Sequence, residues 1–142
     1  MTRPTTRSPQ VPLAPISWGE LLDKISILQI KAERVHAAGA QHNIRSELEH
    51  LTAIAAEQLG GDDWLRAACA RLKTVNERLW EIEDRIRDKE RVKSFDADFV
   101  ALARSVYHSN DERAAIKREI NLHTGSELIE EKQYSDYSRG KD

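Results

Sequence analysis

The fold is decided by residues 65–86, which read LRAACARLKTVNERLWEIEDRI. Apolar residues recur there at alternating steps of three and four, the seven-residue period of a helix that packs along a partner. This apolar seam consists of Leu65, Ala68, Leu72, Val75, Leu79, Ile82 and Ile86. The period predicts a long helix 3 from about residue 63 to residue 89 or beyond, roughly 40 Å in length at 1.5 Å per residue.

A second long helix follows directly. Ser94-Phe95-Asp96 breaks helix 3 and starts helix 4, and Thr124-Gly125 predicts a left-handed cap at its end. Its apolar stripe consists of Phe99, Leu102, Val106, Ile116 and Ile120. We therefore expect helices 3 and 4 to form an antiparallel hairpin over roughly residues 63–122.

Two further helices precede this hairpin. Ser17-Trp18-Gly19-Glu20 matches a capping box, and the residues that follow are apolar on more than one side. They predict a central helix 1 that ends at Gly39, with helix 2 expected from about Asn43 to Leu59. No segment has the pattern of a strand. The predicted fold class is all-α: an antiparallel helical bundle of about four helices, dominated by the helix 3–helix 4 hairpin.

The ends of the chain differ from its middle in composition. Residues 1–16 hold all four prolines among Thr, Ser and Arg, and predict a disordered, Pro-rich arm. Residues 17–134 are expected to form a single helical domain. Residues 135–142 are expected to be a frayed polar tail.

Charge and cysteine content limit the possible functions. Charged residues make up 32% of the 142 residues, but the net charge is only −2, which argues against nucleic-acid binding. No apolar run approaches the ~20 residues that span a bilayer, so no membrane association is predicted. Cys69 is the single cysteine and cannot form an intramolecular disulfide, which indicates a reducing, cytoplasmic location.

A second line of residues runs beside the apolar seam on both hairpin helices. It mixes amides, charges and one large aromatic residue per helix. On helix 3 it consists of Cys69, Lys73, Asn76, Trp80, Glu83 and Arg87, and on helix 4 of Val100, Ala103, Tyr107, Asn110, Ala114, Lys117 and Asn121. The seam of helix 4 is itself interrupted at Ser109 and Arg113. With the turn centred near residues 93 and 94, Asn76 is expected level with Asp111, and Glu83 level with Arg104. A polar layer is therefore predicted to cross the middle of the hairpin.

Two interpretations of this polar layer remain open. A polar layer can fix the alignment of packed helices at some cost in stability. Alternatively, it can line a groove for a ligand or partner, with Trp80 and Tyr107 as walls. The candidate binding residues are Asn76, Trp80, Glu83, Asp84, Arg104, Tyr107, Asn110, Asp111, Arg113 and Lys117.

Metal and catalytic signals are sparse. Glu33/His36 and Glu47/His50 have the Glu-x-x-His spacing of di-metal carboxylate bundles, with Glu83 and Glu119 as further carboxylates. Both pairs flank the apolar stripes, which favours ordinary surface positions, so no metal or other cofactor is predicted. Cys69 is interpreted as a small residue at a helix contact, and no catalytic residue is assigned.

Two resemblances add to this interpretation. Asp23-Lys24-Ile25-Ser26, with Lys31, resembles the opening helix of chorismate mutases, which implies a pocket where Arg and Lys clamp a dicarboxylate. Residues 19–31, 76–84 and 102–132 together resemble an uncharacterised family of small all-α bacterial proteins, a domain of unknown function. That second resemblance spans most of residues 17–134 and implies a bacterial origin without an activity. Its pattern includes Asn76, Trp80, Tyr107 and Asn110.

The favoured hypothesis is a non-enzymatic helical module. It would bind a protein partner or self-associate through the second line and residues 126–134, because exposed Trp and Tyr near Arg commonly anchor interfaces. One alternative is a small-molecule enzyme or binder that uses the polar layer as a chorismate-mutase-like pocket. The other is a di-metal carboxylate bundle.

Overall fold

The computed structural model describes residues 11–137, which form four α-helices and no strand. These are α1 (Trp18–Arg34), α2 (Ala38–Gln58), α3 (Asp63–Arg91) and α4 (Ala97–Thr124). The all-α class and the dominant α3–α4 hairpin are confirmed. Residues 1–10 of the expected arm and residues 138–142 of the expected tail lie outside the described part, and residues 11–16 are exposed and without regular structure.

The ends of the hairpin helices follow from local capping. The Asp62 carboxylate accepts a hydrogen bond from the Leu65 amide at 2.6 Å and so begins α3. Asp96 accepts one from the Phe99 amide at 2.9 Å and begins α4. Gly125 ends α4 in the left-handed region with φ of 63°, as the Thr124-Gly125 pair predicts.

The capping box of α1 forms only in half. The Ser17 hydroxyl accepts a hydrogen bond from the Glu20 amide at 3.1 Å, as expected. The Glu20 carboxylate instead accepts a hydrogen bond from the ammonium group of Lys117 on α4, at 2.6 Å. A tertiary ion pair has replaced the local contact that the sequence predicts.

The predicted boundary between the first two helices is wrong. α1 ends at Arg34 rather than at Gly39, and α2 begins at Ala38 rather than near Asn43. The side-chain amide of Gln41 donates hydrogen bonds to the carbonyls of Ala32 and Val35, which have no partner within α1. These bonds satisfy the end of α1 without a glycine.

α1 occupies the centre of the bundle because it packs against each of the other three helices. The backbone of α2 approaches only that of α1, and no residue of α2 is fully buried. The shared apolar cluster consists of Leu21, Leu22, Ile25, Leu65, Ala68, Leu72, Val75, Ile116 and Ile120. Residues of α1, α3 and α4 thus form the core, and α2 covers one side of it.

The apolar seam of α3 is most deeply buried where α1 covers it. Leu72 and Val75 are fully buried, whereas Leu79 and Ile86 are only partly so. Arg34, the last residue of α1, forms an ion pair with Glu81 at 3.1 Å, so α1 ends at this level. Beyond it the hairpin consists of two helices alone, which leaves that end more open.

α1 and α4 approach closely at Gly19. A Cβ atom at this position would lie 2.5 Å from the backbone oxygen of Lys117 and 2.9 Å from the side-chain oxygen of Asn121. The Gly19 amide donates a hydrogen bond to that same Asn121 oxygen at 2.7 Å. Only glycine allows this contact, because the obstructing carbonyl belongs to a helix backbone that cannot move independently.

We expect Gly19→Ala to lower the free energy of unfolding by about 1–3 kcal/mol, the usual cost of overpacking. Urea denaturation measures this change. Gly39→Ala is the matched control, since nothing lies within 4 Å of a Cβ there. That helical substitution should stabilise the protein by about 0.4–1 kcal/mol. Similar effects of both substitutions would contradict the close approach at Gly19.

The charge of Asp96 should contribute to stability only above a defined pH. A hydrogen bond from Lys89, with others from the Phe99 amide and Ser94, lowers the pKa of Asp96 from 3.8 to about 2. Its stabilising charge is therefore fully present above pH 4 and is lost as the pH falls through 2. Asp96→Asn keeps a capping oxygen but no charge. The melting temperatures of the two proteins should differ at pH 5 and converge near pH 2; a pH-independent difference would exclude this role.

Candidate functional site

A buried layer of polar residues joins α1 to both helices of the hairpin. The Asp23 carboxylate of α1 accepts hydrogen bonds from Arg113 Nε of α4, at 2.9 Å to Oδ1 and 3.1 Å to Oδ2, and Arg113 Nη2 also donates to Oδ2. Asn76 Nδ2 of α3 donates to Asp23 Oδ1 and to Ser26 Oγ, each at 2.8 Å. We call Asp23, Ser26, Asn76 and Arg113 the buried polar layer.

Every group in this layer has a partner. Ser26 donates its hydroxyl proton to the Asp23 carbonyl at 2.7 Å. No buried side-chain nitrogen or oxygen in the described part of the chain lacks a hydrogen bond. The Asp23 side chain is 1% exposed and that of Arg113 is 28% exposed. The hydrogen bonds that Arg113 donates to Asp23 raise the pKa of its guanidinium, which keeps its charge opposite the buried carboxylate.

A second buried charge lies one helical turn further along α4. The Lys117 ammonium group lies 2.6 Å from a Glu20 oxygen and 2.8 Å from a Glu130 oxygen. Burial acts to lower the pKa of Lys117, but the hydrogen bonds to Glu130 and Glu20 outweigh it and leave that pKa raised. Lys117 therefore remains charged and connects α4 to both α1 and the segment after α4.

An open cleft adjoins the buried polar layer where the cover of α1 ends. It has a volume of about 400 Å³ and is lined by Ile27, Asn76, Leu79, Trp80, Glu83, Asp84, Val106, Asn110 and Arg113. The guanidinium of Arg34 lies 5.8 Å from the centre of the Trp80 ring. The side-chain amide of Asn110 has no hydrogen-bond partner within residues 11–137. The cleft thus combines an apolar wall with an amide that is free to bind.

Tyr107 lies outside this cleft, beside the chain segment that follows α4. Its ring centre is 4.9 Å from that of Tyr137, whose hydroxyl donates to Asp111 at 2.6 Å and lies 3.1 Å from His108 Nδ1. The bond to Asp111 raises the pKa of Tyr137 to about 12. Lys132 and Tyr137 together lower the pKa of Asp111. Tyr107 and Asp111 thus belong to a surface cluster separate from Trp80.

The structure brings together six of the ten candidate residues and leaves the others apart. Asn76, Trp80, Glu83, Asp84, Asn110 and Arg113 line the cleft. Lys117, Asp111 and Tyr107 face the segment after α4. Arg104 is exposed and contacts the Tyr107 hydroxyl at 3.3 Å, and Glu83 pairs with Arg87 rather than meeting Arg104 across the hairpin.

The sequence patterns do not identify Asp23 as the centre of the buried polar layer. They single out Asp23 only through the resemblance to a mutase helix, and Glu20 only as a capping residue. The burial of Asp23 is nevertheless indicated by its position between Leu22 and Ile25, on a helix that is apolar on more than one side. A carboxylate in such a position needs a buried cation.

The two alternative arrangements, a chorismate-mutase-like pocket and a di-metal site, are not assembled by the residues that the structure describes. Asp23 turns inward to Arg113, and Lys24 pairs with Glu47 at 3.3 Å. The other proposed metal-binding carboxylates also lie beside cations: Glu33 beside Lys73, Glu83 beside Arg87 and Glu119 beside Arg71. No group of three potential metal ligands occurs within residues 11–137.

Cys69 packs against the apolar cluster, where it is half-buried. Burial raises the pKa of its thiol, so the reactive thiolate form is disfavoured. This environment agrees with the predicted small residue at a helix contact.

The buried pair should show an asymmetric response to mutation. Arg113→Met leaves the Asp23 carboxylate buried without a cation, and should cost about 3–5 kcal/mol of unfolding free energy. Asp23→Asn should cost less, because the partly exposed Arg113 can turn to water. The double variant should be more stable than the sum of the two losses predicts, by at least about 1 kcal/mol. Urea titrations of all four proteins complete the cycle, and strict additivity would contradict the coupling.

Comparison with known proteins identifies the family. None of the four described helices contains an apolar stretch suited to crossing a bilayer. No curated protein and no solved structure matches the chain. The model of a family of unknown function, DUF6165, matches residues 13–139, which confirms the resemblance drawn from the sequence, while the implied bacterial origin stays a prediction. The chain therefore belongs to the DUF6165 family, a family of unknown function.

Proposed function

We propose that this chain is a non-enzymatic binding module that recognises a protein partner through the cleft beside the buried polar layer. The observation that carries the proposal is the juxtaposition, in one open cleft, of the Trp80 indole and the Asn110 amide, which has no hydrogen-bond partner within the described residues. Tryptophan is among the residues most enriched at the hot spots of protein interfaces.

The composition of the cleft suits a partner's side chain. Ile27, Leu79 and Val106 supply an apolar floor next to Trp80. The Asn110 amide can both donate and accept a hydrogen bond, so it can pair with a polar group carried on an otherwise apolar insert. A volume of about 400 Å³ accommodates a few side chains.

Rigidity of the surroundings supports the same role. Asn76 and Arg113 line the cleft, and their hydrogen bonds to Asp23 fix their side chains. This wall of the cleft therefore does not have to lose conformational freedom when a partner binds. A pre-formed wall reduces the conformational entropy lost on binding. The two interpretations of the polar layer are therefore compatible: its buried part aligns the helices, and its edge forms a surface.

The small-molecule alternative receives less support. It requires Arg104, Asn110, Asp111 and Arg113 to converge on one pocket. Arg104 does not line the cleft, and Asp111 is bound to Lys132 and Tyr137. Asn110 and Arg113 are the members of that set that share the cleft. The di-metal alternative would require carboxylates that are now engaged with lysine or arginine to be released.

Trp80→Ala tests the proposal because Trp80 is partly exposed and lies outside the apolar cluster. We expect helix content by circular dichroism to be unchanged. A partner captured by the wild-type chain, or a dimer seen by light scattering, should be weakened by at least about 30-fold, the effect of losing about 2 kcal/mol at an interface hot spot. Binding of the purified partner, measured by calorimetry, gives this ratio.

Trp64→Ala is the matched control. Trp64 is 40% exposed and stacks on His123 near the start of α3, far from the cleft. The same substitution there should leave partner binding and oligomeric state as in the wild type. Identical partners, affinities and oligomeric states in all three proteins would rule out the cleft as the binding surface.

A further inference from the structure

The chain after α4 turns back along that helix. We call residues 126–137 the strap. Its first residue is anchored: the Ser126 amide donates to the Asn121 carbonyl at 2.9 Å, and the Ser126 hydroxyl accepts from the Trp18 amide at 3.3 Å. From residue 127 to residue 137 the strap forms neither helix nor strand, and its backbone makes no hydrogen bond to that of α4.

Beyond Ser126, complementary charges hold the strap in place, together with Tyr137 at its far end, whose hydroxyl donates to Asp111 at 2.6 Å. Glu130 lies 2.8 Å from the Lys117 ammonium group, Glu131 lies 3.1 Å from the Arg118 guanidinium, and Lys132 lies 2.6 Å from the Asp111 carboxylate. Glu130, Glu131 and Lys132, two acidic residues followed by a basic one, thus pair with two basic residues and one acidic residue of α4. Such a match selects a particular order of charges along an extended chain.

These ion pairs are individually weak because most of their charged side chains remain exposed to solvent. The side chains of Glu130, Arg118 and Glu131 are 57%, 51% and 78% exposed. Exposed ion pairs of this kind contribute little each and weaken in salt. The strap's large apolar and aromatic side chains, Leu128, Ile129, Tyr134 and Tyr137, are 38% exposed or more, so none of them is fully buried. Ordering the strap also costs conformational entropy, so it can be displaced.

A groove of about 460 Å³ lies between α4 and the strap, which forms one of its walls with residues 130–134. Arg113, Lys117 and Asn110 line this groove on the helix side. If the strap leaves, Glu20 stays beside Lys117 and Asp23 stays beside Arg113, while Arg118 loses its partner Glu131. The uncovered face then offers Arg118 and a half-neutralised Lys117 to an acidic segment, and Asp111 to a basic residue.

We propose that this face of α4 is a binding surface for an extended acidic peptide of a partner protein, and that the strap is its internal competitor. The strap supplies the recognised chemistry itself, two carboxylates followed by an amine. This surface shares Asn110 and Arg113 with the cleft but does not use Trp80, so it extends beyond the cleft-based function. A partner peptide binds at the cost of displacing the strap, which lowers its apparent affinity.

The test uses the full chain and one synthetic probe, a fluorescein-labelled peptide of residues 126–137. Glu130→Gln, Glu131→Gln and Lys132→Gln are combined to weaken the strap without changing α4. Anisotropy titrations should show at least tenfold tighter probe binding to this variant than to the wild type. Raising the salt concentration from 50 to 500 mM should weaken that binding. Arg118→Gln, added to the same variant, should reverse the gain.

Glu127→Gln is the matched control, because Glu127 belongs to the strap but has no ion pair within residues 11–137. It should bind the probe as weakly as the wild type. Hydrogen exchange of residues 127–137 should accelerate in the triple variant and not in the control. Equal probe affinities for triple variant and wild type, or unchanged exchange in the triple variant, would overturn the proposal. Trp80→Ala, which tests the cleft separately, should leave probe affinity unchanged.

Discussion

The buried carboxylate of Asp23 is the constraint on which the rest of the bundle depends. A charge removed from water requires a cation and further hydrogen-bond donors, and here they come from two different helices, Arg113 of α4 and Asn76 of α3. Apolar packing alone tolerates sliding of one helix along another. The geometry of a carboxylate bound by a guanidinium does not, so this contact selects one alignment of α1 on the hairpin.

Two neighbouring contacts between α1 and α4 require the same alignment of these helices. On α4 the contacts follow Arg113 at Lys117 and then Asn121, each about one turn further along the helix. On α1 they run in the opposite direction, from Asp23 to Glu20 and Gly19, within about one turn. α1 and α4 are thereby fixed as antiparallel neighbours. The buried polar layer is consequently both a device for helix register and the rigid inner wall of the Trp80 cleft.

The sequence predicted those parts of the structure that repeat. The seam of Leu65 to Ile86, the start of α4 near Asp96, the left-handed cap at Gly125 and the central position of α1 all follow from periodicity or local hydrogen bonding. The end of α1 at Arg34 does not, because it depends on Gln41, a side chain whose capping role has no common sequence signature. Sequence patterns predict the ends of a helix well where no tertiary contact changes them.

The candidate site was less predictable because its contacts join distant residues. Asp23 and Arg113 are 90 positions apart, and nothing in the local pattern of either identifies the other. A turn centred near residues 93 and 94 also placed Arg104 opposite Glu83. The interhelical pairs Arg71–Glu119 and Arg78–Glu112 are instead symmetric about residue 95. Arg104 also lies two residues after the buried Leu102, about 200° around α4 at 100° per residue, so its side chain is exposed and lies outside the cleft.

The position of α2 determines where the molecule opens most easily. Its backbone approaches only that of α1, no residue of it is fully buried, and no side chain caps its start, where Ala37 stands. Local unfolding needs the least free energy where few buried apolar contacts are lost. We therefore expect α2 to detach more readily than α1, α3 and α4, which are joined through Asp23. Its detachment bares the outer face of α1, so transient exposure of apolar surface, and any aggregation that follows, begins on that side of the bundle.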